Sequence, residues 1–267
     1  MSASVDQVID QPILLRDDSD GITTLTLNRP AQYNALSGEM LDELQRALDA
    51  IDQDDSVRVV VIAASGKAFC PGHDLKEMRA SEEREFHQAL FAKCSKMMLT
   101  INQLRQPVIA RVNGIATAAG CQLVANCDLA VAAEDARFAV SGINVGLFCS
   151  TPAVPLSRNM GRKQALHMLL TGDFIAAQTA LQFGLVNEVV PAAELEQATV
   201  RLAQKIIAKS AHAIALGKDM FYQQLPMDLS EAYAYAAERM TCNMDSHDAR
   251  EGIDAFIEKR KPEWKGE

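Results

Sequence analysis

The order of the predicted secondary structure constrains the fold of this 267-residue chain more than any other feature. Helical spacing of apolar residues, first after Ser37 and then over 83–104, alternates with short apolar runs at 57–62, 108–112 and 127–132. Sequential strands separated by helices cannot pair as hairpins, so they must be joined by crossover connections and lie mainly parallel. The sequence therefore predicts an α/β fold with a largely parallel sheet.

The two ends of the chain depart from this alternation. Apolar runs at 13–15 and 22–27 flank the turn-forming residues 17–21, and this arrangement predicts a hairpin near the start. Beyond Pro152 the apolar spacing is helical, and only 185–190 resembles a further strand. The predicted helices of this part cover 165–171, 176–183, 194–207, 229–240 and 250–259.

Charge and composition exclude several classes of protein. The formal net charge of −9 argues against a partner such as nucleic acid or an anionic membrane, because both require a broad positive face. The six cysteines form no C-x-x-C pair and the five histidines show no metal-ligand spacing, so no metal is expected. No apolar run approaches the ~18 residues of a membrane span. Residues 1–10 lack the features of a targeting segment, so we expect a cytoplasmic location.

Two short segments, each at the junction of a predicted strand and a predicted helix, are candidates for a functional site. The first is 72–78 (Gly-His-Asp-Leu-Lys-Glu-Met) and the second is 118–123 (Ala-Ala-Gly-Cys-Gln-Leu). The free N–H groups at the start of a helix favour an anionic ligand. Close packing of a helix on a strand would equally explain the glycines of either segment taken alone.

Asp74 and His73 in the first segment each have two interpretations. Asp74 is followed three residues later by Glu77, a spacing typical of a capping box, and we expect the cap rather than a catalytic base. The His73 imidazole could titrate near neutral pH beside a ligand. A role for the backbone of residue 73 alone would need no particular side chain.

Four motifs in register resemble the crotonase superfamily, also called the enoyl-CoA hydratase/isomerase family. They are 27–30 (Leu-Asn-Arg-Pro) with 34–37 (Asn-Ala-Leu-Ser), 69–75 (Phe-Cys-Pro-Gly-His-Asp-Leu), 112–114 (Val-Asn-Gly) continuing to 120–123 (Gly-Cys-Gln-Leu), and 127–128 (Cys-Asp). The run 145–152 (Val-Gly-Leu-Phe-Cys-Ser-Thr-Pro) is similar to one animal branch of that family. The resemblance covers nearly the whole chain.

The resemblance implies a fold, an assembly and a ligand. The family fold is a crotonase-type spiral of ββα repeats that carries the acyl-CoA pocket, here 1–195, followed by a C-terminal helical trimerisation region, here 196–267. Such proteins assemble as homotrimers or homohexamers. The implied ligand is an acyl-CoA substrate, so coenzyme A enters as part of the substrate and no separate cofactor is expected.

The resemblance also implies site residues. By position, the backbone N–H groups of His73 and Ala119 would hold the thioester oxygen, where preorganised donors stabilise the negative charge of an enolate. The implied coenzyme A contacts are Arg29, Gln32, Tyr33, Ala35, Gly72, Asp74, Leu75, Lys76 and Gly120, with Arg29 and Lys76 as possible phosphate partners. The basic run 259–261 is a further possible contact, although lysines that end a helix commonly complement its dipole.

The family's two acid–base glutamates have no counterpart here, because their positions hold Gln122 and Gly142. An amide cannot exchange a proton at neutral pH and glycine has no side chain, and each missing group typically removes ~10²–10⁴-fold in rate. Efficient hydration is therefore not expected. The resemblance places Ser141, Asn144, Cys149 and Ser150 in the pocket wall, and a Cys149 nucleophile would need a lowered pKa.

We therefore expect an acyl-CoA thioester enzyme of this family, of the lyase or isomerase type, that stabilises an enolate with two backbone amides. One alternative is a catalytically silent acyl-CoA-binding or regulatory protein. Another is a decarboxylase of malonyl-type thioesters, since loss of carbon dioxide needs no base to start. Dinucleotide binding is not expected, because no G-x-G-x-x-G follows a predicted strand.

Overall fold

The computed structural model describes residues 11–267, so the prediction for 1–10 lies outside the described residues. The strands are β1 (Leu14–Ser19), β2 (Ile22–Leu27), β3 (Val59–Ala64), β4 (Ala68–Cys70), β5 (Val108–Val112), β6 (Ile115–Thr117), β7 (Leu129–Ala133), β8 (Arg137–Ala139), β9 (Ile175–Ala176) and β10 (Glu188–Val190). The helices are α1 (Gly38–Asp52), α2 (Leu75–Ala80), α3 (Arg84–Gln103), α4 (Ala119–Asn126), α5 (Ser150–Asn159), α6 (Arg162–Thr171), α7 (Ala177–Phe183), α8 (Leu195–Ile207), α9 (Ala211–Gln224), α10 (Leu229–Met244) and α11 (His247–Glu258).

A six-stranded sheet has the order β1-β2-β3-β5-β7-β10. Only β1 and β2 pair antiparallel, and the remaining neighbours are parallel, so the predicted crossover arrangement is confirmed. The predicted hairpin turns over Asp20 (φ 51°) and Gly21 (φ 77°). Positive φ at both central residues is what a two-residue type I′ turn requires.

A second, four-stranded sheet has the order β4-β6-β8-β9 and carries both candidate segments. Strands β4, β6 and β8 are parallel, and β9 joins antiparallel. All four strands of this sheet are missing from the predictions made above, because two or three residues are too few to show a period. The first segment follows β4, and the second follows β6.

Helices cover both faces of the six-stranded sheet. The predicted stripe of α1 (Met40, Leu41, Leu44, Leu48 and Ile51) is fully buried, as is most of the predicted stripe of α3. On the opposite face, α8 buries Leu195, Ala198 and Ala203 against strands β2, β3, β5 and β7. A sheet buried on both faces explains why its central strands read as continuous apolar runs.

The C-terminal helices contain one element that the sequence did not indicate. Helix α9 lies between the predicted helices α8 and α10, and it has no buried residue that would mark an apolar stripe. Helix α5 was also missed, because Pro152 and Pro155 interrupt its pattern. Helix α8 lies within the predicted 196–267 region apart from its first residue, yet it packs on the central sheet. Within 11–267, no helix is both long and apolar enough to cross a membrane.

A buried ion pair attaches α9 to the core. The Lys218 ammonium lies 2.6 Å from an Asp128 carboxylate oxygen and donates to the carbonyls of Ile101 and Gln106, each at 2.9 Å. The other Asp128 oxygen accepts from the Tyr222 hydroxyl at 2.8 Å. Burial lowers the pKa of Lys218, and the Asp128 charge opposes that shift. Every donor of this ammonium is therefore used inside the protein.

Removal of the Lys218 charge should destabilise the fold more than removal of an exposed one. Lys218→Met leaves the Asp128 carboxylate buried without its cation, and we expect a loss of about 3 kcal/mol in the free energy of unfolding, measured by urea titration. The control is Arg46→Met, which breaks an exposed pair with Glu43 and should cost about 0.5 kcal/mol or less. Equal losses in the two variants would contradict this role for Lys218.

Candidate active site

The pairing of β4 with β6 brings the two candidate segments into contact. A Cβ on Gly120 would overlap the carbonyl of Cys70, so α4 can begin this close to β4 only with glycine at that position. The Thr117 hydroxyl donates a 2.8 Å hydrogen bond to the carbonyl of Pro71. The end of β6 is therefore tied to the residue that precedes the first segment.

Gly72 defines how close the two turns lie. It adopts φ 104°, and a Cβ placed on it would lie 3.1 Å from the amide nitrogen of Ala119 and 2.9 Å from the Cβ of Ala118. Its carbonyl accepts from the amide of Leu36 at 2.8 Å, which fixes the turn from the other side. The residue before His73 thus contacts the first residue of α4.

The amides of His73 and Ala119 are both left without an acceptor by the protein within residues 11–267. Neither donates a hydrogen bond to another protein group within the described part of the chain. Ala119 is the first residue of α4, where N–H groups have no intrahelical partner and the helix dipole is positive. Two unpaired donors on adjacent turns form an arrangement that suits an oxyanion.

Ala118 holds the turn before α4 in a strained conformation. Its φ of 47° and ψ of −120° lie in a region that non-glycine residues rarely occupy. Its amide donates to the Ala139 carbonyl at 3.0 Å, and its carbonyl accepts from the Gln122 amide at 2.9 Å. The strained backbone is therefore fixed on both sides.

Asp74 caps α2, as predicted, but the second half of the predicted capping box is wrong. The Asp74 carboxylate accepts from the amides of Lys76 (3.0 Å) and Glu77 (3.4 Å). The Glu77 carboxylate accepts instead from the amide of Gly38 at 2.9 Å, at the start of α1. The Asp74 amide donates to the Leu36 carbonyl, so it has no need of Glu77.

The residues predicted to contact coenzyme A differ in their availability. Arg29 lies 3.6 Å from an Asp74 oxygen and also donates to the Ala35 carbonyl at 3.1 Å, so its charge is largely engaged. Ala35 is buried, whereas Gln32, Tyr33, Leu75 and Lys76 are exposed. The Arg29–Asp74 pair and the Leu36–His73 bridge join the two segments that hold these residues.

Lys67 is a cation in this region that the sequence reasoning missed. Its ammonium lies 5.4 Å from the centroid of the Tyr33 ring, a cation–π distance. The adjacent Gly66 packs against Pro30, so β4 begins beside the loop that was expected to hold the nucleotide. In the sequence, only the position of Lys67 directly after Gly66 could have indicated that this cation lies here.

The side chains of His73 and Gln122 carry buried polar atoms without partners. Both ring nitrogens of His73 and the Oε1 atom of Gln122 are inaccessible to solvent and make no hydrogen bond. The His73 ring packs edge-on against Phe91 of α3, with centroids 5.6 Å apart. Burial lowers the pKa of His73, and the backbone of Leu36 and the charge of Glu77 oppose that shift.

The space for a side chain at residue 142 is already occupied. A Cβ on Gly142 would lie 2.5 Å from the Leu147 carbonyl oxygen and 2.8 Å from the Cys149 Sγ. The Leu147 amide also donates to the Gly142 carbonyl at 2.9 Å, which closes the loop. The closed loop therefore leaves room only for glycine at position 142.

The remaining predicted wall residues lie around this loop. Cys149 is buried and precedes α5, and burial raises the pKa of its thiol, so it lacks the lowered pKa that a nucleophile needs. Ser141 and Asn144 belong to a 3-10 turn at Ser141–Val145, and the Ser150 hydroxyl donates to the Phe148 carbonyl at 3.3 Å.

A cavity of about 530 Å³ lies near the amino ends of β3 and β5, which are central strands of the six-stranded sheet. Arg58, Arg105, His212 and Trp264 are among its lining residues, and none of the predicted site residues is. Across residues 11–267 no cluster of three metal-ligating side chains is found. The absence of a metal remains a prediction.

Comparisons with known proteins bear on the family and the fold. The family model described as enoyl-CoA hydratase/isomerase matches residues 17–267. The mitochondrial enoyl-CoA hydratase domain-containing protein 3 of Rattus norvegicus is 49% identical over 92% of this chain and 82% of its own length. This similarity confirms the branch expected from the run at 145–152.

Solved structures give the same result. The crystal structure of the human enoyl-CoA hydratase domain-containing protein 3 superposes with a TM-score of 0.92 at 47% identity, over 95% of this chain and 100% of that chain. A structure described as enoyl-CoA hydratase from Mycobacterium smegmatis has a TM-score of 0.94 at 59% identity, over 95% of this chain and 99% of that one. The predicted crotonase-type α/β fold is confirmed.

Relief of the strain at Ala118 should stabilise the protein. Ala118→Gly removes a backbone cost of ~1–3 kcal/mol, and this gain exceeds the ~0.5–1 kcal/mol that glycine costs through the unfolded chain. We expect a net gain of about 1 kcal/mol and a melting temperature about 2–4 °C higher, measured by calorimetry. The control is Ala125→Gly inside α4, which should lower stability by about 1 kcal/mol. A lower melting temperature for Ala118→Gly would show that residue 118 is not strained.

Proposed function

Since this chain belongs to the enoyl-CoA hydratase/isomerase family, we propose that it binds an acyl-CoA thioester and stabilises negative charge on the thioester oxygen with the amides of His73 and Ala119. In this proposal the chain acts as an enzyme on that thioester. The loop after Pro30, together with Lys67 and Lys76, would bind the coenzyme A moiety. A cytoplasmic location of the protein is part of the same proposal, whereas the Rattus norvegicus relative is named as a mitochondrial protein.

The contact between Gly72 and the amide of Ala119 is the observation that carries this proposal. It brings the turn of His73 against the positive end of α4, and both amides are unpaired. Donors that are already oriented stabilise an enolate without reorganisation, and the loss of one donor costs ~3 kcal/mol in the barrier.

We propose that the reaction is not the hydration that two carboxylates catalyse. Gln122 is 4% exposed and carries an amide, and the space beside Gly142 is filled by Leu147 and Cys149. No group at either position can deliver or remove a proton at neutral pH. The reactions that remain are those driven mainly by stabilisation of the enolate.

Acetoacetyl-CoA tests the oxyanion site directly, because its enolate absorbs ultraviolet light and requires no turnover. We expect the bound ligand to ionise at lower pH than the free one, since two amides stabilise the enolate oxygen. Ala118→Gly/Ala119→Pro removes the N–H of residue 119 at a helix position that tolerates proline, while glycine at 118 relieves the restriction before proline. This double variant should lose most of the enolate signal.

The matched control for that measurement is Ala118→Gly, which keeps the amide of residue 119 and should keep the signal. Crotonyl-CoA and methylmalonyl-CoA are assayed in parallel, by enoyl absorbance and by release of carbon dioxide. We expect the rate of hydration to be lower by ~10²–10⁴-fold for each missing acid. Rapid hydration of crotonyl-CoA would contradict the argument from Gln122 and Gly142, and unchanged ionisation of acetoacetyl-CoA would refute the oxyanion site.

A trimer or a hexamer is the proposed assembly, and the C-terminal helices support it. Among the large apolar side chains of α10 and α11, Phe256 is 85% exposed, Leu229 74%, Tyr233 71% and Ile257 69%. Apolar side chains clustered on one part of a surface commonly mark an interface. These helices would pack against those of neighbouring copies.

A charge in this surface should break the assembly. Phe256→Asp would bury a carboxylate in an apolar contact, so light scattering after size-exclusion chromatography should show a shift toward the monomer mass. Phe256→Leu is the matched control and should keep the mass of the wild-type assembly. A wild-type protein that runs as a monomer at micromolar concentration would end this proposal.

A further inference from the structure

The cavity of about 530 Å³ near the amino ends of β3 and β5 has the size of a small-molecule site. Four separate parts of the chain form its wall: the loops before β3 and β5, the start of α9 and the C-terminal tail. The tail is held in place, because the Asp248 carboxylate accepts from the amides of Lys265 (2.8 Å) and Gly266 (3.0 Å). Fixed elements therefore surround the cavity.

The charged groups of the wall leave an excess of positive charge. The half-buried Arg58 guanidinium has no carboxylate partner within residues 11–267, and a 2.8 Å hydrogen bond from its Nη2 to the Lys209 carbonyl orients it. Its Nε and Nη1 atoms have no acceptor in the same residues. Arg105 is balanced, since it pairs with Asp55 at 3.0 Å. Arg58 is thus a positioned cation with donors to spare.

The start of α9 adds hydrogen-bond donors to the same wall. Ser210 caps this 14-residue helix, and its hydroxyl oxygen accepts from the Ala213 amide at 3.1 Å. The amides of Ala211 and His212, two residues that line the cavity, donate to no protein group in the described part of the chain. A guanidinium and free N–H groups at a helix start are donors that suit a phosphate or a carboxylate.

The remainder of the wall is apolar. The apolar residues that line the cavity are Val57, Pro107, Ala211, Ile214, Ala215 and Trp264. The Trp264 indole N–H already donates to the Ala208 carbonyl at 2.9 Å, so the ring offers a ligand its apolar surface. An inorganic anion would leave this part of the cavity unfilled. The wall therefore suits a molecule with an anionic end and an apolar end.

We propose that this cavity is a further binding site, which takes a small organic anion with a phosphate or carboxylate head and an apolar ring. The head lies between Arg58 and the start of α9, and the ring lies against Trp264. The proposal is independent of the proposed function, because the residues proposed to bind the acyl-CoA thioester do not line this cavity. It therefore stands or falls by its own experiment.

Calorimetric titration of the full-length protein, in the assembly in which it is purified, tests the site with four probes. Phenyl phosphate and benzoate carry a head and a ring, inorganic phosphate carries the head alone, and benzyl alcohol carries an uncharged ring. We expect phenyl phosphate or benzoate to bind at least about 10-fold more tightly than inorganic phosphate and benzyl alcohol, since the buried ring and the charged hydrogen bonds each contribute roughly this factor. The tighter of the two ring-bearing anions identifies the head.

Competition shows which site the anion occupies. Saturation with butyryl-CoA should leave the affinity for the tighter ring-bearing anion unchanged, because the two ligands bind in different places. Displacement of the anion by butyryl-CoA would overturn the proposal, since the anion would then occupy the acyl-CoA site. Failure of both ring-bearing anions to bind, or equal affinity for phenyl phosphate and inorganic phosphate, would overturn it as well.

Two variants assign the binding to its residues. Arg58→Met removes the charge and keeps most of the stem, so it should weaken binding of the anion about 10-fold and leave benzyl alcohol unchanged. Ala211→Pro removes one free amide at the first position of α9, which tolerates proline after the extended Ser210, and should weaken it several-fold. The matched control is Arg158→Met, because Arg158 also donates to a backbone carbonyl, that of Val154, but lies outside the cavity.

The control should bind the anion as the wild-type protein does. If Arg58→Met fails to fold, Ala211→Pro and the probe series on the wild-type protein still decide the matter. Wild-type affinity for the anion in both Arg58→Met and Ala211→Pro would overturn the proposal.

Discussion

The close approach of α4 to β4 is the constraint on which the rest of the site depends. The absence of a Cβ at Gly120 lets the helix begin directly over the Cys70 carbonyl, and Gly72 in turn reaches the amide of Ala119. The pairing of β4 with β6 also holds these two turns together, because each turn directly follows one of the two strands. A side chain at Gly120 would push the helix start away and separate the two amides. The proposed oxyanion site would thus be a consequence of backbone packing, and no side-chain functional group would be needed to form it.

The cost of this arrangement lies in the turn before α4. Ala118 has a positive φ, and hydrogen bonds on both sides hold it there. Strain of this kind persists only where the surrounding structure fixes it, and it concentrates at functional sites. The Asp128–Lys218 pair also fixes part of the structure, because it attaches α9 to the ends of α3 and β5.

The chemistry of the site follows from what surrounds the two amides. The family's acid–base positions hold Gln122 and Gly142, and the loop through Leu147 and Cys149 closes over Gly142. In the proposed function, the protein would therefore retain the electrostatic part of a thioester site and lack its proton carriers.

The sequence by itself determined the order of the elements, the parallel central sheet, the buried stripes of α1 and α3, the Asp74 cap and the family motifs. These features arise from local periodicity and from side chains that act on their own backbone. Only the tertiary structure decided the rest. The four-stranded sheet is built from strands too short to show a pattern, α9 has no buried residue, and Glu77 caps α1 instead of α2. The contact of Gly72 with Ala119 and the closed space beside Gly142 join residues through chain packing, which no local pattern encodes, because their distances depend on how whole strands and loops lie against each other.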